Sequence, residues 1–261
     1  MIPLQIQPCK QFYKVDIREY SEDDKTSTWS LISKIWHVTI SKMPSSPYVK
    51  CQIETFSRTQ DDSTMQQSEK SLWTKLAMIN DDITLLIDNY GQPLEIMNYE
   101  ALKKKAHEAF AFIRERFDGH LIEKLLTNVE TIYNEASLLL LELNSYKQFG
   151  LLTSCLYNNE LNIITRDKII NLHDATGKAD VEERFIRKDA EGTINFSMKG
   201  KIKNQHEILT KVDSYEGEFI FEAVTSSIHR ASVEIAHSGS DYKKMRTYIL
   251  QALSDKDMEY L

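Results

Sequence analysis

With 261 residues, 41% of them apolar and 27% charged, the chain has the composition of a folded protein rather than a disordered one. A formal charge of −7 disfavours non-specific binding to nucleic acid or to an acidic membrane surface, and 8 glycines and 5 prolines argue against Gly-rich phosphate loops and long flexible linkers. The 3 cysteines, Cys9, Cys51 and Cys155, are far apart and in no metal spacing, so reduced thiols in a reducing compartment are expected.

The chain opens Met-Ile-Pro-Leu-Gln-Ile-Gln-Pro-Cys-Lys, without the basic and apolar regions of a signal peptide. Phe12 to Tyr20 then alternates, with Tyr13, Val15 and Ile17 on one face, and closes in the acidic turn Ser21-Glu22-Asp23-Asp24-Lys25. Thr28 to Ile40 and Tyr48 to Arg58 read as the next two strands, giving an antiparallel meander over residues 10–60. Thr59 to Ser68 is polar loop, and Leu72, Leu76 and Ile79 predict a short helix from Glu69 to Ile79. Ile83 to Asp88 is a short buried strand. Asp88-Asn89-Tyr90-Gly91 supplies its turn, and Leu94 to Met97 returns as a second short strand.

At Tyr99 the period changes from 2 to 3.6. Asn98 is the expected N-cap, and Leu102, Ala106, Ala109, Phe110, Ile113 and Phe117 form one stripe. Asp118-Gly119 ends this helix, and Leu121 through Ile132 predict a second. A third, capped near Asn134, carries Leu138 to Leu143 and is expected to stop at Gly150. Its leucine run is too short to span a bilayer. The helical block is thus placed from Tyr99 to about Tyr157. Strand patterns return at Val181 to Arg187, Gly192 to Lys203, Ile208 to Val212, Glu218 to Val224, Ile228 to Ala236 and Tyr242 to Leu250, the last equally compatible with helix.

These patterns predict a single α+β domain over residues 1–261. An antiparallel sheet built from N- and C-terminal strands (residues 10–60 and 180–252) would pack on the central helical block (Tyr99 to about Tyr157), which together with the strand–turn–helix unit before it spans residues 69–157. Phe110, Ile113, Leu125, Leu139, Phe196 and Phe219 are the expected core. Most of Tyr13, Trp29, Trp36, Tyr48, Phe56 and Trp73 should join it, with a minority free to line a groove.

No nucleophile elbow, P-loop, dinucleotide fingerprint, zinc motif or Cys-x-x-Cys is present. His229 and His237 share a strand parity and are the only candidates for acid/base or metal chemistry. Asp81-Asp82 and Glu182-Glu183 are adjacent carboxylates, and adjacent strand residues face opposite ways, so neither pair is a ready-made dyad. Lys103-Lys104-Lys105 reads as a solvated helix face. Lys199, Lys201 and Lys203 form a lysine ladder opposite the apolar face of their strand, as edge protection or as a basic stripe.

Ile87-Asp88-Asn89-Tyr90-Gly91, with Leu94-Glu95-Ile96-Met97-Asn98-Tyr99 leading into the long helix and Glu216-Gly217-Glu218-Phe219 in the C-terminal meander, resembles an uncharacterised family of bacterial accessory proteins found beside contact-dependent injection systems and their toxins. The resemblance implies a protein-binding role as adaptor, chaperone or immunity factor and carries no catalytic residue. The expected function is a non-enzymatic cytoplasmic protein-binding module without cofactor or metal. Its candidate partner-binding residues are Glu22, Asp23, Asp24, Asp61, Asp62, Lys199, Lys201 and Lys203. Two alternatives stand beside it: a carrier or sensor holding a lipophilic ligand between helices and sheet, and an unrecognised enzyme. An apolar cavity would favour the carrier, and a filled core with exposed apolar surface would favour the partner. The histidines meeting a carboxylate in a cleft would favour the enzyme.

Overall fold

The computed structural model describes residues 3–62, 67–171, 178–203 and 211–258. Runs rich in Ile, Val, Thr and aromatic residues form β1 (Cys9–Asp23), β2 (Ser27–Lys42), β3 (Val49–Asp62), β4 (Asp82–Ile87) and β5 (Pro93–Ile96). After the helices come β6 (Ile163–Asn171), β7 (Lys178–Ala190), β8 (Thr193–Ile202), β9 (Lys211–Glu222), β10 (Ile228–Ser238) and β11 (Tyr242–Ala252). All pair antiparallel in one eleven-stranded sheet of order β5-β4-β3-β2-β1-β11-β10-β9-β8-β7-β6. The two meanders join at β1 and β11, where Val15 lies opposite Leu250 and Ile17 opposite Tyr248. The sheet is open, ending at β5 on one side and β6 on the other.

The helices are α1 (Gln67–Ala77), α2 (Tyr99–Arg116), α3 (His120–Asn134), α4 (Ala136–Leu143) and the short α5 (Asp255–Met258). The stripe of α2 is buried as its spacing requires, with Leu102, Ala106, Phe110 and Ile113 all at 0% exposure. Asn98 precedes α2 but does not cap it. Its side chain instead accepts from the Thr84 amide (2.9 Å) and donates to the Asp82 carbonyl (3.0 Å), fastening the start of α2 to β4.

The expectation of an α+β fold built on a helical block reaching Tyr157 is overturned. Strand makes up 51% and helix 24%, and the large sheet is the organising element. Helix stops at Leu143, and residues 144–157 form successive turns, with Gln148 and Gly150 amides both donating to the Ser145 carbonyl (3.0 and 2.8 Å). Gly150 lies inside this segment rather than closing a helix. A Cβ there would stand 2.5 Å from the Asn144 carbonyl oxygen. Within the run Leu138 to Leu143, Leu139 and Leu143 are buried and Leu141 is 39% exposed.

The apolar residues after Leu143 lose the 3.6 period because they fill the inner face of a curled sheet. Within this one segment, Phe149 lies tilted against Trp36 on β2, ring centres 4.9 Å apart, and Tyr146 lies 6.1 Å from Tyr248 on β11. Tyr157 meets Phe221 on β9 edge-to-face at 5.5 Å. The sheet therefore wraps around residues 144–157, which touch strands of both meanders.

Other expectations shift in detail. β6 was not anticipated, because both of its faces carry isoleucine and Ile163 and Ile169 are exposed (44% and 42%). The strand placed at Ile208 to Val212 lies outside the described residues up to 210; Val212 itself belongs to β9, which runs unbroken to Glu222. Phe110, Ile113, Leu139, Phe196 and Phe219 are buried, while Leu125 is only partly so. Of the six aromatics expected mostly in the core, only Tyr13 and Trp36 are buried. Trp29, Tyr48 and Trp73 are exposed, and Phe56 is pushed outward where the β2–β3 register slips between Ile35 and Trp36.

Phe110 packs edge-to-face on Tyr133 at 6.0 Å with no exposure. Phe110→Ala should cost about 3–5 kcal/mol in denaturant unfolding with an unchanged m-value. A loss under about 1 kcal/mol would show that α2 does not depend on this contact.

Candidate functional site

On the inner face of β7, Val181, Glu183, Phe185 and Arg187 alternate inward. Glu183 is fully buried beneath segment 144–157. Its carboxylate accepts from Arg166 Nε on β6 (2.6 Å), from the Tyr146 hydroxyl (2.7 Å) and from the Tyr215 hydroxyl on β9. Arg166 also donates to the Tyr146 hydroxyl (3.0 Å) and to the Ser154 carbonyl, and its guanidinium lies 4.8 Å from the centre of the Phe185 ring. Gly200, directly opposite Glu183 on β8, makes room for this network. The Tyr215 ring occupies the space where a Cβ at position 200 would sit, so only glycine lets the phenol cross β8 to the carboxylate.

Burial opposes the charge of Glu183, but Arg166, Lys168 and the two phenol hydroxyls outweigh it and hold the carboxyl below its ordinary range. Burial and the Glu183 charge push the Tyr146 hydroxyl well above its ordinary value; for Tyr215, burial, Tyr146 and Glu183 do the same, so both remain donors. Lys168 donates to the Asn144 carbonyl (3.0 Å) and lies 4.1 Å from the Tyr146 ring centre. Desolvation, with Arg166 beside it, brings its pKa down to about 8.

Lys168 also borders a cleft of ≈ 610 Å³ between the end of α4, Gln92 of the β4–β5 turn, and the β6–β7 edge. Leu141 and Asn144 form one wall and Asp167, Ile169, Asp180 and Lys203 the other. The chemistry available there is charge pairing and hydrogen bonding. Among the described residues no group of histidine, cysteine and carboxylate side chains is arranged to hold a metal ion.

The candidate residues from the sequence divide between two places. Glu22, Asp23 and Asp24 at the β1–β2 turn and Asp61 and Asp62 at the end of β3 come to one end of the sheet, where Asp62 lies opposite Ser30 and Glu22 opposite both Ser27 and Lys243. Asp23 is occupied by the turn itself, accepting from the amides of Lys25 (2.9 Å) and Thr26 (2.8 Å), which lowers its pKa. Lys199, Lys201 and Lys203 lie near the opposite edge, in a mixed field rather than a basic stripe. Lys199 stands opposite Arg184 and Glu216, Lys201 opposite Glu182, and Lys203 pairs with Asp167 at 2.5 Å. His229 and His237 do not converge. A register irregularity between Ile228 and Arg230 leaves His229 exposed, while His237 is buried against Tyr242, ring centres 6.0 Å apart.

The Glu183 network was missed. Its signal was legible as two polar residues, Glu183 and Arg187, at the inward positions of an otherwise apolar strand face.

No protein-family model matches the chain, and no curated protein matches it. Among solved structures, a triple mutant of the Rhodopseudomonas blastica porin is similar over 95% of this chain and 100% of its own, at 10% identity and a TM-score of 0.27. DynF from the dynemicin biosynthesis pathway of Micromonospora chersina is similar over 98% and 87%, at 6% identity and a TM-score of 0.23. Scores this low carry no argument about fold or function. No helix among the described residues is long and apolar enough to cross a membrane.

Removing one member of a buried ion pair strands the other. Glu183→Ala should therefore cost about 3–5 kcal/mol, and Arg166→Met combined with Glu183→Leu should recover most of that loss. Chemical denaturation of the three proteins checks it, and a double variant no better than Glu183→Ala would contradict the pairing.

Proposed function

We propose that the protein is a non-enzymatic binding module that takes an extended segment of a partner protein onto the free edge of β6. The observation that carries this reading is the contrast between the two ends of the sheet. The β5 edge is only four residues long and begins at Pro93, which blunts it against further pairing. The β6 edge is nine residues long and, among the described residues, pairs on one side only. Around it Leu161 (63%), Ile163 (44%), Ile169 (42%) and Ile186 (39%) are exposed, with Ile163 directly opposite Ile186. An incoming strand would gain main-chain hydrogen bonds from β6 and alternate side-chain contacts from these isoleucines. The adaptor, chaperone or immunity role implied by the sequence resemblance is one form of this reading, with a cytoplasmic protein partner.

The packing gives less support to a lipophilic carrier. An enclosed apolar space lined by Cys9, Tyr13, Val38, Cys51 and Tyr157 among others holds ≈ 30 Å³, too little for a lipid chain or a ring system. An enzyme reading loses its only candidates with the separation of His229 and His237. The acidic turns are weaker docking candidates than the edge, since Glu22 faces Lys243 across β11 and Asp23 is engaged in its own turn.

The test is capture from the native cell with wild-type protein and an Ile163→Lys/Ile169→Lys variant. Both positions are exposed, so the variant should keep its stability within about 0.5 kcal/mol per site. It should lose a partner that the wild type retains, while a Glu22→Gln/Asp24→Asn variant keeps it. Equal recovery by the wild type and the edge variant would contradict the proposal.

A further inference from the structure

We propose that Lys34, Arg58 and Lys147 form a binding site for a soluble phosphate-class dianion, reached through the polar cleft at the β1–β2 turn end of the sheet. Lys34 on β2 and Arg58 on β3 stand directly opposite each other in the register. Like charges in that position repel, so the pair needs negative charge nearby to be stable. The protein supplies one carboxylate. Asp81 accepts from Arg58 Nη2 at 2.5 Å, and the same nitrogen donates to the Ala77 carbonyl at 3.1 Å.

Two donors are left over. Lys34 is 9% exposed and makes no hydrogen bond or ion pair among the described residues, and Arg58 Nε is buried with no acceptor. Lys147, from the segment that fills the sheet, is the second cation acting on Lys34, after Arg58, and the third of the cluster. Three cations against Asp81 leave an excess of two positive charges, the complement of a dianion. Burial first, then Arg58 and Lys147, bring the Lys34 pKa down to about 8, as expected for an ammonium whose counter-ion is missing.

Lys147 connects this cluster to the outside. It lines a mainly polar cleft of ≈ 390 Å³ with Ser30, Asp62, Lys244 and Arg246. Ser30 and Lys34 share the inner face of β2, separated by Ile32, so the cluster lies roughly 13 Å along the strand from the mouth. Glu19 at the mouth is neutralised by Arg246, Nε to Oε1 3.0 Å. A phosphate monoester entering there would meet the free N–H of Arg58 and two ammonium groups, an arrangement suited to charge-assisted hydrogen bonds.

The test is 31P NMR and thermal unfolding of the full chain in inorganic phosphate at pH 7.0, with ionic strength held constant by sodium chloride. Saturable line broadening and a saturating rise of Tm are expected, weakened at least tenfold in Lys34→Met and in Lys147→Gln. Lys34→Met removes a buried unpaired charge and should fold at least as well as the wild type, so its failure to bind would not reflect unfolding. A non-saturating Tm rise, equal in all three proteins, would be the general exclusion effect of phosphate and would overturn the site. Absence of any phosphate effect would overturn it equally. Vesicles carrying a phosphate-monoester headgroup should leave the protein in the supernatant, because the cluster lies too deep for a bilayer surface to reach. Co-sedimentation lost in Lys34→Met would overturn the assignment to a soluble ligand.

Discussion

The ion pair between Arg166 and Glu183, enclosed by Tyr146 and Tyr215, is the constraint on which the C-terminal half of the sheet depends. A carboxylate with no exposure is tolerable only if its acceptor capacity is filled, and here three donors from three elements fill it. Tyr146 belongs to segment 144–157, Arg166 to β6 and Tyr215 to β9, so satisfying one charge fixes where the segment lies relative to the sheet. The same segment places Phe149 on Trp36 at the other end of the sheet's curl. One irregular stretch thereby links both meanders, and their covalent order matters less than this shared filling.

A sheet wrapped around its own chain has functional consequences. The interior that a carrier would use is taken up by Tyr146, Phe149, Leu151, Leu156 and Tyr157, all buried. The space that remains lies at the margins, at the β6 edge and in the two clefts lined by Asn144 and Lys147 near the start of segment 144–157. Lys168 on β6 and Lys147 within this segment both line those clefts.

Strands with one face on the core were legible because alternation survives in them. Ile194, Phe196, Met198 and Ile202 are buried on β8 as their spacing implied, and the stripe of α2 was legible for the corresponding reason. Residues 144–157 were not legible, because a segment that fills a curved interior touches neighbours on every side and obeys no single period. Trp29, Trp73 and Phe56 misled for a different reason: large aromatics suit strands and helices whichever face they occupy, and their type does not reveal the face. The polar network around Glu183 lay within reach of sequence reasoning, since a carboxylate at an inward strand position demands a partner. Its partners, Tyr146, Arg166 and Tyr215, come from distant parts of the chain and could not be named without the fold.

The claim that segment 144–157 couples the two meanders is tested most directly by native-state hydrogen exchange in a Phe149→Ala variant. Phe149 contacts Trp36 on β2, far in the sheet from β7. If the segment is a shared filling, amides of β7, β8 and β9 should lose protection together with those of β1, β2 and β3, by comparable factors. Loss confined to the N-terminal meander, with β7 to β9 protected as in the wild type, would contradict the coupling.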